Sequence, residues 1–366
     1  MAKELEGFNF EQRHGKARVR VGRVWRSKDG CRHFMVEWNV SISLLSNCVA
    51  AYVRDDNSDI VATDTMKNTV YVKAKECSEQ LSAEEFAILL GKHFTSFYPQ
   101  VFTAIVKIVE KPWERISVNG QPHEHGFKLG SEKHTTEAIV QKSGVLQLIS
   151  GVEGLSLLKT TQMDLFGYIA KVSSNNKWLL HLNQETHSRS SYLSSKKSLF
   201  SHLNIFFSLL IFGVCEYEQS GFEGFIRDKY TALPETRERM LATEVTASWR
   251  YSYESVSSIP QKSVYFNEQY LNVKKVLVDT FFGPPERGVY SASVQSTLLQ
   301  MAKAVLGRFA DISSVKLKMP NIHFLPVNIS SKDHGSIVKF DDDVYLPTDE
   351  PHGSIEASLS RFWSKM

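Results

Sequence analysis

Arg18-Val19-Arg20-Val21-Gly22-Arg23, the turn Lys28-Asp29-Gly30 and the alternating run over residues 32–44 set the architecture of the chain. Apolar and polar side chains alternate over 17–26 and again over 32–44, the period of strands with one wet face. Asp-Gly between two such runs marks a hairpin. Working outward, Ile60-Val61-Ala62 reads as a short apolar strand end. Ser82 and Glu85 form a capping box, after which Phe86, Leu89, Leu90, His93 and Phe94 recur at helical spacing. Val101–Val109 is rich in β-formers, and Asn119-Gly120 predicts a second hairpin ending near Leu129. The second half repeats this order. Thr135–Ile149 and Leu155–Lys159 read as strands, and Phe222–Tyr230 as a helix start. Met240–Tyr253 contains a strand with Val245, Ala247 and Trp249 on one face. A helix over Asn267 to Phe282 is stopped by Gly283-Pro284-Pro285. Ser293 to Phe309 is amphipathic, with Val294, Leu298, Met301, Ala302, Val305, Leu306 and Phe309 on one stripe. Ile312–Met319 and His323–Val327 close the pattern as strands. Two passes of strand-strand-helix-helix-strand-strand predict an α+β fold, duplicated in order rather than in sequence.

Composition narrows the function. The 366 residues suffice for two modest domains with real cores. Hydrophobic content of 42% and charged content of 23% are ordinary for a globular protein. Basic residues number 43 and acidic ones 40, a balance that leaves no dedicated nucleic-acid surface. Cys31, Cys48, Cys77 and Cys215 show neither a CxxC spacing nor a disulfide framework, so a reducing interior is expected. The charged start Met-Ala-Lys-Glu-Leu-Glu lacks the apolar run of a secretory signal. Ser364-Lys365-Met366 is a variant of the Ser-Lys-Leu peroxisomal address.

Several polar groups stand where chemistry or simple structure would place them. Thr63 and Asp64 lie where an apolar segment meets a helix, as caps do. Lys16, just before the first strand, reads as solvated surface. Asn321 and His323 share one strand face, as two satisfied polar groups at a sheet edge also would. Arg239 and Gln295 are ordinary polar helix residues by pattern, and Phe222 with Phe225 could face a core. His123-Glu124-His125 lacks the spacing and third ligand of a metal site. No GxGxxG or GxxxxGK loop occurs, so neither a nucleotide nor a flavin cofactor is expected.

Leu155-Ser156-Leu157-Leu158-Lys159-Thr160-Thr161-Gln162 and Ser220-Gly221-Phe222-Glu223-Gly224-Phe225-Ile226-Arg227-Asp228-Lys229-Tyr230, joined end to end, resemble the signature of urate oxidase. Val61-Ala62-Thr63-Asp64-Thr65-Met66-Lys67-Asn68-Thr69 is similar to the active-site segment of the same family, in its plant type. The resemblance runs from Lys16 to the C-terminus. It implies two tandem tunnelling-fold units, 1–134 and 135–366, whose antiparallel sheets close into a barrel on oligomerisation. It also implies a homotetramer with active sites at subunit interfaces, acting on urate and O2 with no cofactor and no metal. The products would be 5-hydroxyisourate and hydrogen peroxide. Lys16, Thr63 and His323 match the family's proton relay; an amine desolvated in a site can take protons near neutral pH, and imidazole titrates there. Arg239, Gln295, the backbone of Val294 and stacking Phe222 match the purine clamp. Asp64 would reach the purine of a neighbouring subunit, and Asn321 would hold oxygen or water above the ring. Peroxide production fits a peroxisomal location and an import receptor reading Ser364-Lys365-Met366. The alternative enzyme reading is another tunnelling-fold purine or pterin enzyme.

Met163–Gln219 stands apart. It is rich in Ser, Asn, Leu and Phe, and it splits the family signature. The 17-residue run Leu199–Cys215 barely reaches membrane-spanning length and carries Ser, His and Asn, so no membrane partner is expected. This segment reads as translated intron, disordered or poorly packed. The non-enzyme alternative is an isoform impaired by it.

Overall fold

The computed structural model describes residues 6–28, 30–160, 220–262, 265–331, 335–336, 340 and 343–362. Cys215, the segment Met163–Gln219 and the tripeptide Ser364-Lys365-Met366 lie outside the described residues. Contacts divide the chain into two compact units, one of 1–158, 242–281 and 294–366, the other of 159–241 and 282–293.

The larger unit is built on an eight-stranded antiparallel sheet in the order β1-β2-β3-β6-β7-β8-β9-β12. The strands are β1 (His14–Arg26), β2 (His33–Ser46), β3 (Val101–Glu110), β6 (Lys133–Gln141), β7 (Leu146–Lys159), β8 (Leu241–Tyr251), β9 (Ile312–Pro326) and β12 (Tyr345–Ser360). Strands β4 (Trp113–Val118) and β5 (Gln121–Leu129) form a separate hairpin, and β10 (Ser330–Ser331) with β11 (Gly335–Ser336) a second small ribbon. Helices are α1 (Ala50–Val53), α2 (Thr63–Glu76), α3 (Ala83–Phe97), α4 (Tyr265–Phe282) and α5 (Val294–Arg308). Four strands of the sheet precede residue 142, and the single-turn α1 followed by the pair α2 and α3 separates its second and third; the other four enclose the second helix pair. This is the duplicated order predicted above. The expected boundary between 134 and 135 falls inside β6.

Alternation decides which face is covered. Val36, Trp38, Val40, Ile42 and Leu44 of β2 are buried while the residues between them stay half-exposed. Ala104, Val106 and Ile108 continue the covered face, as do Val245, Ala247 and Trp249 on β8. Phe86, Leu90 and Phe94 of α3 lie against it, with Phe86 stacked 4.5 Å from Trp38. Each such side chain contributes about 1.5–3 kcal/mol by leaving water. The capping box of α3 forms in both directions between Ser82 and Glu85. Asn119 (φ 51°) and Gly120 (φ 77°) both adopt the left-handed conformation required between β4 and β5.

Four expectations need correction. Ile60–Ala62 is irregular rather than a strand end, because it hands over directly to α2. Thr135–Ile149 is two strands, since Gly144 at φ 91° turns the chain between β6 and β7. Ile312–Met319 and His323–Val327 are one strand that runs through Pro320. Its partner β12 went unpredicted, because Pro347, Pro351 and Gly353 break its pattern; an edge strand tolerates such residues. Finally, Phe222–Tyr230 forms no helix. Phe222 instead bridges Thr236, and Gly224 at φ 71° bends the chain away.

Candidate active site

The sequence places its candidates in three groups. The first lies at the β1 side of the sheet. Lys16, half-buried, sits opposite Ile42 immediately before a bulge in which Arg18 takes φ 59°. Gly15 allows this close approach, because a Cβ there would lie 2.0 Å from the Ile42 carbonyl oxygen. The His14 imidazole Nε2 lies 3.2 Å from the Val61 carbonyl, tying the start of β1 to the lead-in of α2. Thr63 and Asp64 are the first two residues of α2 and both are exposed. Neither caps the helix: Ala62 occupies the cap position, with no side-chain cap. The Asp64 carboxylate accepts from Lys67 and, at 2.8 Å, from Asn68. Those bonds, the Lys67 charge and a smaller contribution from Lys16 hold the carboxyl below its ordinary range. Lys16, Thr63 and Asp64 therefore share one neighbourhood.

The second group lies at the opposite side of the same sheet. Asn321 on β9 pairs with Thr243 and Gly353, and His323 pairs with Thr348. Both are half-buried and share a face. The helix α5, which packs on β9 and β12, begins with buried Val294 and exposed Gln295. Six strand steps separate β1 from β9, about 29 Å along the sheet at ~4.8 Å per step. Within one chain, then, the expected relay of Lys16, Thr63 and His323 is divided: Lys16 with Thr63 at one side, His323 at the other.

The smaller unit carries the third group. Phe222 and Phe225 stack with centroids 4.8 Å apart and planes at 11°. The Arg239 guanidinium lies 5.3 Å from the Phe222 ring. Its backbone N–H donates to the Ser220 carbonyl at 2.9 Å, and Phe222 and Thr236 exchange backbone hydrogen bonds at 2.7 and 3.1 Å. Burial lowers the Arg239 pKa, opposed by the Tyr290 charge. The Arg239 Nε is buried with no hydrogen-bond partner, so a donor stands ready beside an aromatic face. Gly221 is required here, since a Cβ would meet the Tyr290 hydroxyl at 2.2 Å and the Arg237 carbonyl at 3.0 Å. A guanidinium beside an aromatic ring is chemistry suited to a planar, carbonyl-bearing anion.

Sequence reasoning passed over Lys159, the last residue of β7. It is 5% exposed, and its amine donates to the Val289 carbonyl at 2.8 Å. Burial lowers its pKa to about 8. The signal was present in the aliphatic run Leu155–Lys159, which ends in a charge rather than in a turn residue. Among the described residues, no group of three His, Cys, Asp or Glu side chains is placed to hold a metal ion. His123 and His125 on β5 lie with ring centroids 6.0 Å apart, and His125 lies 4.6 Å from His33 on β2. No described helix is long and apolar enough to cross a membrane.

The uricase family model matches residues 12–139 and 211–356. Uricase-2 of Phaseolus vulgaris is 65% identical over 367 aligned positions that cover the whole of both chains. The uricase of Arabidopsis thaliana is 63% identical over the same extent. The crystal structure of the uricase from Arthrobacter globiformis superposes with a TM-score of 0.70 at 28% identity, covering 98% of this chain and 96% of that one. The family match and the full-length likeness, on a fold shared with solved uricases, lead to one conclusion: this chain belongs to the uricase family.

Proposed function

We infer that the chain oxidises urate with O2 and water to 5-hydroxyisourate and hydrogen peroxide. One observation carries this reading: the likeness to plant uricases extends over the whole chain, so it spans all three groups of candidate residues. The family resemblance supports distinct roles. Phe222 stacks on the purine and Arg239 donates to its carbonyl edge, with Gln295 and the Val294 backbone N–H at the opposite edge. Lys16, Thr63 and His323 move protons from urate. Asn321 positions oxygen or water over the ring. Electrons come from the deprotonated substrate, and the protein supplies orientation and charge placement, with neither metal nor organic cofactor.

The division of the relay supports assembly. Lys16, Thr63 and Asp64 lie near the free edge of β1, and Asn321 and His323 lie next to the other edge strand, β12. Edge-to-edge closure of two such sheets joins complementary half-sites and removes both exposed edges. Two tandem tunnelling units, 1–134 and 135–366, would thus form a barrel, within a homotetramer whose sites lie at subunit interfaces and where Asp64 serves the neighbour. Ser364-Lys365-Met366 would direct the protein to peroxisomes through the import receptor.

The segment Met163–Gln219 is read as an insertion that interrupts the signature. The family model matches in two segments, leaving 140–210 unmatched and resuming at 211, inside this segment. The described flanks converge: the Lys159 amine donates to the Val289 carbonyl, and Gly221 N–H donates to the Ser291 carbonyl at 2.9 Å. Both flanks thus return to one three-residue stretch, and loop length adds closure entropy only slowly. The test is aerobic loss of urate's ultraviolet absorbance with the full chain beside a 163–219 deletion. Turnover with peroxide release by both supports the function and a tolerated segment. Turnover by the deletion alone identifies an impaired isoform. Silence from both, in folded protein, overturns the function.

A further inference from the structure

Lysine is among the residues most rarely buried without a partner charge, because its ammonium loses hydration. Lys159 is buried, and its bond to the Val289 carbonyl begins a continuous chain of contacts. The Val289–Ser291 stretch bridges Ser220 in parallel at Ser291, whose carbonyl accepts from Gly221 N–H. Between these two anchors, the Tyr290 hydroxyl lies over Gly221. The Ser220 carbonyl then holds the Arg239 backbone. Methionine or leucine would fill the same hole at lower desolvation cost, so the amine is there for what it bonds.

We propose that Lys159 is a positioning residue for the oxopurine: its amine, bonded to the Val289 carbonyl, fixes the stretch that sets Gly221, Phe222 and Arg239 against one another. This rests on the reading that Phe222 and Arg239 hold the purine. The residue touches no reacting atom, so its loss acts on binding rather than on chemistry. Lys159→Met keeps the length and volume of the side chain and removes only the donor. A clamp held by this bond loosens without it, and uniform binding is lost with the chemical step intact. The expected result is a urate KM raised about tenfold, kcat within about threefold, and a melting temperature unchanged or higher. A merely structural lysine gives a different pattern, with melting temperature and kcat falling together and KM unmoved. Lys159→Arg, which retains a donor, is expected to recover most of the affinity.

The measurement pairs Lys159→Met with Arg239→Gln, each in the full-length protein and in the 163–219 deletion, using whichever turns urate over. A raised KM in both variants supports the proposal. A raised KM for Arg239→Gln alone overturns it and leaves the purine clamp standing. An unchanged KM for Arg239→Gln overturns the clamp and the proposal with it. Should Lys159→Met fail to fold, Lys159→Arg decides: a KM near the parent value supports the role, and a tenfold rise overturns it.

Discussion

Asp64 and Glu84 occupy the same place in two successive helices, the second residue of the first turn, where a carboxylate favours the positive end of the helix dipole. Their surroundings are opposite. Asp64 is exposed and accepts from Lys67 and Asn68 on its own helix. Glu84 is fully buried, accepts from the Ser150 hydroxyl, and lies 2.7 Å from His134 Nε2. Burial alone would push the Glu84 carboxyl up, but the His134 charge and the hydrogen bonds from His134 and Ser150 outweigh it and hold it down. The imidazole is treated likewise: burial lowers it, and Glu84 with Glu110 raises it further. Tyr270 stacks on His134 at 4.1 Å and closes the cluster. One carboxylate thus belongs to the core of the subunit. The other is presented outward, where a single chain gives it little to do. A helix start is therefore a neutral position; what the sheet places in front of it decides between stability and function.

The comparison can be broken experimentally. The largest effect is expected on the exposed side. Lys16→Met removes a proton-transfer group and should lower kcat by about 10²–10⁴. Purine binding and melting temperature should persist, as read by xanthine titration and calorimetry; unchanged turnover would remove Lys16 from the relay. On the buried side, Glu84→Gln leaves His134 without its counter-charge and should cost about 3–5 kcal/mol of stability. Denaturant titration reads that loss, and a cost under about 1 kcal/mol, the range of exposed pairs, would show that burial of the pair does not matter.

The pH dependence sharpens the same contrast. Glu84 has a lowered pKa, so its contribution is present above about 4.3 and is lost as pH falls through the folded value. His134 has a raised pKa, so its contribution is present below about 6.5 and is lost as pH rises through the folded value. The stability gap between parent and Glu84→Gln should therefore be widest between about pH 4.5 and 6.5 and narrow on either side. A gap that grows steadily toward alkaline pH would contradict the pairing. A smaller effect is expected for Ser150→Ala, about 1–3 kcal/mol, because one oxygen of a buried carboxylate loses a donor. Asp64→Asn should leave the melting temperature unchanged while raising the urate KM. If stability falls instead, Asp64 serves its own helix rather than a neighbouring subunit.

Much of this architecture was legible in particular residues. Asp-Gly at 29–30, Asn119-Gly120 and the Ser82–Glu85 box each encode a local backbone event, and local events need few neighbours. The period-two runs of β2 and β8 and the stripe of α5 show which face is covered. Pro320 and the broken pattern of Tyr345–Ser360 misled, because strand pairing supplies order that propensity does not. Phe222-Glu223-Gly224-Phe225 has the spacing of a helix, yet its hydrogen bonds go to Thr236. That choice is made by a segment many positions away.

The sequence by itself determined the α+β order, the duplication, the family and the identity of the polar groups with chemistry to offer, since all of these are written in spacing and residue type. Tertiary structure alone decided that Glu84 is core while Asp64 is surface, and that Lys16 and His323 stand six strands apart in one sheet. It also decided that Lys159 lies buried against Val289. The reason is physical: burial and charge pairing depend on which strands lie side by side, and that adjacency joins residues as far apart as Lys159 and Val289, or Glu84, His134 and Ser150.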